Sequence, residues 1–405
     1  MGIIVQKFGG TSLSTPERRE RVCQSILREK RAGNQVVVVV SAMGRAEDPY
    51  ATDTLIGLVK EENLNPCRRE MDLLLACGEI ISGVVLTSRL QALGEKAVFL
   101  TGAQAGIITT PQHGDARIVN VDTSRLRRHL EEGSVVVVAG FQGVTKDGEI
   151  TTLGRGGSDV TASALGVALG ADVVDIYTDV EGIMTADPRI VENARLLDRV
   201  TYNEVCQLAR EGARVIHPRA VEIAMERNIP LRVRSTFSDG LGTLVSNHSE
   251  GLGHTVPIKR DHLITGITQM PNITQIKVTA NGEPDLALKV FKSMALAEIS
   301  VDFISVNPES IRFTVIKEAA KRAEEILLSL GLEPEVEPDV AKVAVVGAAM
   351  TGIPGIMSKV VEALTENGIP ILQSGDSYTN IWCLVKREHM EKAVRALHDK
   401  FALGS

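Results

Sequence analysis

Aromatic side chains are scarce: Phe, Tyr and Trp make up 3% of the 405 residues. Nucleic-acid surfaces stack bases on such rings and add a basic stripe. Neither is expected here, because the net charge is -7 and the basic residues are scattered. The small cluster Arg125, Arg127, Arg128 and His129 falls in an amphipathic stretch and reads as a solvated helix face, so no nucleic acid is expected as a partner. Long apolar runs are missing too. The longest, over 36–40, has the length and β-branching of a buried strand. A membrane span needs roughly 18 apolar residues, so no membrane association is expected. Met1-Gly2-Ile3-Ile4-Val5 has a strand pattern without a basic leader or cleavage site, so no targeting signal is expected either. Cysteine is sparse: Cys23, Cys67, Cys77, Cys206 and Cys383 are odd in number, far apart and without C-x-x-C spacing. They read as free thiols of a reducing cytoplasm, not as zinc ligands or a nucleophile.

What is present is length and patterning. A hydrophobic share of 44% over this length fills two or three domains rather than one core. Up to about residue 190, β-branched runs (3–7, 35–40, 96–100, 135–140 and 173–178) alternate with helical stretches. That alternation predicts a mostly parallel sheet covered on both faces. One helix is expected to start at a capping box, Ser14-x-x-Glu17 with Pro16 in the first turn, and to stop at Gly33. A second box, Thr201-x-x-Glu204, opens a helical region over 201–228. Residues 238–262 are rich in turn formers and read as a connection between domains.

The remainder repeats itself. Residues 282–330 align with 352–400 without a gap: Gly282 with Gly352, Pro284 with Pro354, Val290 with Val360, Ile299 with Ile369, Ile311 with Ile381, Val315 with Val385 and Leu327 with Leu397. The apolar pattern keeps register through strand, Gly/Pro turn, helix, strand, strand and helix, which predicts two copies of one α+β unit.

Five segments carry chemistry. Lys7-Phe8-Gly9-Gly10-Thr11-Ser12 follows a strand and precedes a helix. Its glycines let backbone N–H groups approach a phosphate, with Lys7 aimed at the same place. It has neither Walker A nor G-x-G-x-x-G spacing. Thr152-Leu153-Gly154-Arg155-Gly156-Gly157-Ser158-Asp159 feeds a helix N-terminus, where Ser158 or Asp159 is the expected cap. That is an anion site with a guanidinium fork. Thr178-Asp179, running into Met184-Thr185-Ala186-Asp187-Pro188-Arg189, is an acid-bearing loop at a strand end, suited to a nucleotide or its magnesium. Glu79 lies in an apolar helical run, where an unpaired carboxylate is costly, so it is expected to meet a cation from the protein or a substrate. Ser41-Ala42-Met43-Gly44 directly follows a strand, the usual ligand edge of open α/β sheets. His217, in Val215-Ile216-His217-Pro218-Arg219, reads as a helix-start residue rather than a catalyst.

Together these segments, with Val138-Ala139-Gly140-Phe141-Gln142-Gly143, closely resemble the aspartokinase family in order and spacing along the whole chain, and the repeats look like ACT domains. The segment from Met43 to Asp53, with Ile371-Leu372-Gln373-Ser374, looks like the diaminopimelate-sensitive type of spore-forming bacteria. The resemblance implies an α/β amino-acid kinase fold, a parallel-rich sheet sandwiched by helices, over 1–245, followed by tandem α+β ACT domains over 262–335 and 341–401. It implies transfer of the ATP γ-phosphoryl to the side-chain carboxylate of L-aspartate, the first step toward lysine, diaminopimelate, threonine and methionine. Lys7 and Asp159 are the implied catalytic pair, Lys7 on the phosphoryl group and Asp159 orienting it. Lys7, Phe8, Gly9, Gly10, Thr178, Asp179, Met184, Thr185, Asp187 and Arg189 would border ATP, which brings Mg2+. Ser41, Thr52, Glu79, Arg155, Gly156, Gly157 and Ser158 would hold aspartate, Arg155 its α-carboxylate and Glu79 its α-ammonium. Ser300, Asp302, Pro370, Ile371 and Ser377 would take an amino-acid effector: lysine, diaminopimelate or threonine. Ser300 and Asp302 are placed at a strand start, and Ser377 at the matching place in the other repeat. The first repeat reads Gly282-Glu283-Pro284-Asp285 where relatives often carry Asp before Pro and Gly after, so which repeat binds effector stays open. A homo-oligomer through the ACT domains is expected, and a shorter regulatory chain stays open. The rivals are another enzyme on the same fold and a non-catalytic amino-acid sensor. Arg155 with Glu79 favours a free α-amino acid, and the set Lys7, Glu79, Arg155 and Asp159 argues against a bare sensor.

Overall fold

The structure is a computed structural model in which residues 2–213, 215–247, 263–279, 285–347, 350 and 353–404 are described. The turn at Gly282 and Pro284, Gly352, and the 248–262 part of the expected connection lie outside them. The chain divides into two units: Met1–Ile183 with Leu196–Ala209 and Arg214–Pro257, and Met184–Arg195 with Arg210–Ala213 and Ile258–Ser405.

The first unit runs β1 (Ile3–Phe8), α1 (Gly10–Leu13), α2 (Pro16–Arg31), β2 (Gln35–Val40), α3 (Thr52–Glu62), α4 (Arg68–Ala92), β3 (Ala97–Leu100), β4 (Ile107–Thr109), β5 (Ile118–Val121), α5 (Ser124–Glu131), β6 (Val135–Ala139), β7 (Gln142–Val144), β8 (Ile150–Thr152), α6 (Gly157–Leu169), β9 (Val173–Thr178), β10 (Arg199–Val200), α7 (Tyr202–Arg210), α8 (Pro218–Glu226), β11 (Leu231–Ser235) and β12 (Thr243–Val245). Its main sheet has the order β10-β12-β11-β9-β1-β2-β6-β3, parallel throughout except for the β11–β12 pair. Val36–Val40 are all buried, yet only Val36, Val38 and Val40 join the cluster with Val22, Ile26, Leu86 and Leu90 of α2 and α4. Val37 and Val39 therefore face a second covered side, as the unbroken valine run requires. Because β1, β2, β6 and β9 are parallel, the loops after them gather at one sheet edge. Lys7 sits in the middle of that edge, in register with Val39 on one side and Ile176 on the other.

Several local expectations shift. Helix α2 is capped by Thr15, whose hydroxyl accepts from Arg18 N at 3.3 Å, and not by Ser14. Pro16 fits N1, where its missing N–H is harmless, so the cap moves one residue on. Thr201 and Glu204 do form a reciprocal box, at 3.3 and 2.8 Å. The 201–228 region is two helices, α7 and α8, separated by residues 211–217. A second sheet, β5-β4-β7-β8, was not legible in strands of three or four residues. Helix α4 is long and apolar enough to cross a bilayer by composition, but half of that stretch is buried in the fold. It packs on β3, β6 and β8 with Asp72 and Glu79 inside.

The second unit holds β13 (Gly266–Thr279), α9 (Leu286–Leu296), β14 (Asp302–Val306), β15 (Ser310–Ile316), α10 (Lys317–Ser329), β16 (Pro334–Val346), α11 (Ile356–Glu366), β17 (Gln373–Asp376), β18 (Asn380–Lys386) and α12 (Met390–Lys400). They build one antiparallel sheet, β14-β15-β13-β16-β18-β17. The repeat offset maps α9 onto α11 and β15 onto β18. Val290, Ile299, Ile311, Val315 and Leu327 lie in one core, and their counterparts Val360, Ile369, Ile381, Val385 and Leu397 in the other. Strands β13 and β16 are shared: Ile267 of β13 packs in the second core, Ile276 and Val278 in the first. The pairing of the two repeats is thus built within one chain. Ala186 and Val191 belong to the second core as well.

Candidate active site

The turn after β1 is held by contacts that only glycine permits. A Cβ on Gly10 would lie 2.5 Å from Ala42 O and 2.7 Å from Gly44 O, while Gly44 N donates to Gly10 O at 3.0 Å. Loops 9–12 and 41–44 are therefore locked backbone to backbone. A Cβ on Gly9 would meet Lys7 Nζ at 3.6 Å, so the ammonium lies over this turn. Lys7 Nζ is 2.7 Å from Asp159 Oδ1, with both side chains under 15% exposed. Asp159 stands in the first turn of α6. The helix cap is Gly156 in the left-handed region (φ 68°), and neither Ser158 nor Asp159 caps by side chain. Asp159 is free to address the lysine instead. Ser158 is buried, with Gly140 against its hydroxyl. Gly157 lies tight on Phe141.

Glu79 is 2% exposed on α4. Gly78 beside it leaves room for Ala42 and Tyr50 to lie on the helix, which carries the 41–44 loop down to the carboxylate. Ala42 N donates to Glu79 Oε1 at 3.0 Å, while Oε2 is buried without a partner. Burial pushes this carboxyl up to about 8, and the Ala42 N–H only partly offsets it. The expected protein cation is not there; among the described residues Glu79 has no ion pair. Ser41, half-buried, donates its N–H to Phe8 O at 3.1 Å. Thr52 opens α3 and is half-buried. Arg155 is exposed, and no hydrogen bond or ion pair holds its guanidinium among the described residues.

Thr178 closes β9, and its hydroxyl donates to Asp179 Oδ1 at 3.2 Å. Arg45 reaches across to Asp179 at 2.5 Å and to Thr11 Oγ1 at 3.0 Å, a link between loops 134 residues apart in sequence that no local pattern announces. The Phe8 side chain is fully buried and stacks on Tyr177 at 4.5 Å, so it offers a ligand only its main chain.

The other nucleotide-side candidates, Met184, Thr185, Asp187 and Arg189, belong to the second unit. Thr185 is buried 3.0 Å from His398 Nε2. Asp187 is gripped by Arg189 at 3.0 and 2.7 Å, which holds its carboxyl below the usual range. Of the effector candidates, Ser300, Asp302 and Pro370 are exposed and Ile371 half-buried. Ser377 is a correction: it lies in the hairpin after β17, not at a strand start, and its hydroxyl is bound to Asn380 Oδ1 at 2.6 Å. The first repeat has the same turn chemistry at Asn307, which accepts from Ser310 N at 2.8 Å.

The half-buried Lys7 ammonium, paired with Asp159 over a glycine turn, is the charged centre of this sheet edge. The Amino acid kinase family matches residues 2–235 and the ACT domain matches residues 335–399. Aspartokinase 1 of Bacillus subtilis is 52% identical over the full length of both chains. Among solved structures, E. coli aspartokinase III with aspartate and ADP is 26% identical with a TM-score of 0.80, covering 98% of this chain and 99% of its own. The same enzyme with lysine and aspartate is 27% identical with a TM-score of 0.77, covering the same shares. The chain belongs to the amino acid kinase family. Within that family it is an aspartokinase, an ATP-dependent kinase that phosphorylates aspartate.

Proposed function

We propose that the β-edge of the first unit holds aspartate with its side-chain carboxylate facing the γ-phosphoryl of MgATP, and that Lys7 neutralises the charge in transit. The attacking carboxylate is already ionised at neutral pH, so no general base is needed. Catalysis then reduces to alignment and charge neutralisation. Asp159 fixes the Lys7 ammonium at 2.7 Å, and N–H groups of the 9–10 turn line the phosphates. Arg155 binds the α-carboxylate and Glu79 the α-ammonium. The observation that carries this reading is the unpartnered, buried Oε2 of Glu79, a carboxylate without a cation of its own. Magnesium arrives with the nucleotide. It is a cation that keeps phosphate and water ligands and needs few protein ones.

Regulation rests with the second unit. Lysine sits with the E. coli relative, and here lysine, diaminopimelate or threonine is the proposed effector class. Asp302 is held by Lys342 at 3.1 Å with its side chain 63% exposed, so an incoming ammonium meets an accessible carboxylate. The outer strand β14 exposes Ile304 and Val306. An apolar sheet edge of this kind favours cover by a second copy of the chain. Five free cysteines agree with a cytoplasmic enzyme. Incubation with ATP, magnesium, hydroxylamine and aspartate, read as aspartyl hydroxamate and repeated with the three effectors, tests both halves. No hydroxamate ends the catalytic reading, and indifference to all three effectors ends the regulatory one.

A further inference from the structure

The loop that carries Arg155 is bracketed by side chains that the reaction itself does not use. It leaves β8 at Thr152 and enters α6 at Gly157, with Gly154 and Gly156 in the left-handed region at φ 73° and 68°. Neither glycine has free space. A Cβ on Gly156 would lie 2.3 Å from Cβ and Cγ of His217, and one on Gly154 would lie 2.9 Å from Asp115 Oδ1. Arg219 Nη1 donates to Leu153 O at 2.8 Å and to Asp115 Oδ1 at 3.2 Å, and its Nη2 donates to Ala116 O at 3.2 Å. At the start of the loop, buried Asp72 accepts from Thr152 Oγ1 at 2.5 Å and from Gly114 N at 3.1 Å, with His113 Nδ1 2.8 Å away. His217 Nδ1 accepts the Arg219 N–H at 3.3 Å, which assigns the ring proton to Nε2 and makes the ring a fixed part of the α8 start.

We propose that His217 and Arg219, at the start of α8, are positioning residues for aspartate: they clamp loop 153–157, Arg219 together with its partner Asp115, while Asp72 anchors the start of the loop at Thr152. The inference rests on the assignment of Arg155 to the α-carboxylate. Arg155 makes no hydrogen bond of its own among the described residues, so its aim comes from the backbone it stands on. Misplacing a substrate-holding group by about 1 Å costs on the order of a hundredfold. Glycine supplies the loop's shape, but it also leaves the loop soft. The clamp restores the stiffness.

The test is a double-mutant cycle on the full chain, with KM measured separately for aspartate and ATP. Arg219→Met keeps the apolar stem and deprives Leu153 O of its donor. It is expected to raise KM for aspartate at least tenfold and KM for ATP less than twofold. Arg219→Lys, which retains one donor, should recover part of the loss. His217→Asn keeps a capping acceptor and removes the ring under Gly156, so it should repeat the aspartate-selective defect with the thermal midpoint little changed. In an Arg155→Ala background, Arg219→Met should add less than twofold. An equal effect in both backgrounds, or equal movement of the two KM values, overturns the clamp. So does a strong Arg155→Ala effect beside silent Arg219→Met and His217→Asn variants. An unchanged aspartate KM in Arg155→Ala overturns the Arg155 assignment first, and the clamp with it.

Discussion

Glu79 gives the sharpest consequence of the proposed site. Its carboxyl stands at about 8 in the folded chain against an ordinary 4.5. At about 1.4 kcal/mol per tenfold, that difference is worth about 5 kcal/mol between the two protonation states. The folded value is the higher one, so the free enzyme holds this proton more tightly than the unfolded chain does. The stabilising contribution is complete below pH 4.5 and is lost as pH rises through 8. At pH 7 the free enzyme keeps Glu79 mostly protonated. A substrate ammonium at Oε2 favours the carboxylate, so binding aspartate must expel the proton. KM for aspartate is therefore expected to fall about tenfold per pH unit from pH 6 toward 8 and to level off above it, while KM for ATP stays flat. Glu79→Gln fills the same space without titrating. In that variant the aspartate KM should lose its pH dependence and lie about a hundredfold above wild type at pH 8.5, the loss of about 3 kcal/mol of charge-assisted bonding. Denaturant unfolding without ligands should show Glu79→Gln gaining on wild type as pH rises from 6 to 9. A wild-type aspartate KM that is level from pH 6 to 8.5 would refute the reasoning.

Other outcomes follow from the same geometry. Lys7→Ala is expected to lower kcat at least a hundredfold in a folded enzyme, the scale of one preorganised electrostatic group; single-turnover kinetics check it, and more than a tenth of wild-type kcat contradicts it. Arg155→Lys should raise KM for aspartate far more than KM for ATP, since an ammonium cannot reproduce the planar fork; initial-rate kinetics with each substrate varied decide it. Asp302→Ala should abolish or strongly weaken feedback inhibition without changing basal turnover, read from the effector panel. Full inhibition in that variant removes Asp302 from the effector site. Point variants suit this question better than truncation near residue 260, because Ala186 and Val191 pack in the core of the second unit.

Much of the fold was legible because burial leaves strong traces. The valine run of β2, the capping box at Thr201 and the matched core positions of the two repeats are each forced by local packing. The candidate site was legible where charge stood in an improbable place: Lys7 at a strand end, Glu79 in an apolar helix, Arg155 among glycines. What escaped depends on distant partners. Arg45 was part of a matching segment, but its bond to Asp179 joins loops on separate strands. Asp72, His113, Asp115 and Arg219 look like ordinary polar surface until the fold assembles them round loop 153–157. Strands β4, β5, β7 and β8 are too short to show a period. The segment 184–195 reads as a βα loop of the first unit, although its apolar residues complete the core of the second.

The central claim is that both α-groups of aspartate are recognised while its side chain is phosphorylated. The most direct measurement is kcat/KM for hydroxamate formation at pH 8 with aspartate, N-acetylaspartate and aspartate α-amide under saturating MgATP. The account expects each analogue to lose on the order of a hundredfold, with the acetyl penalty vanishing in Glu79→Gln and the amide penalty vanishing in Arg155→Ala. N-acetylaspartate turning over as well as aspartate in the wild-type enzyme would contradict it.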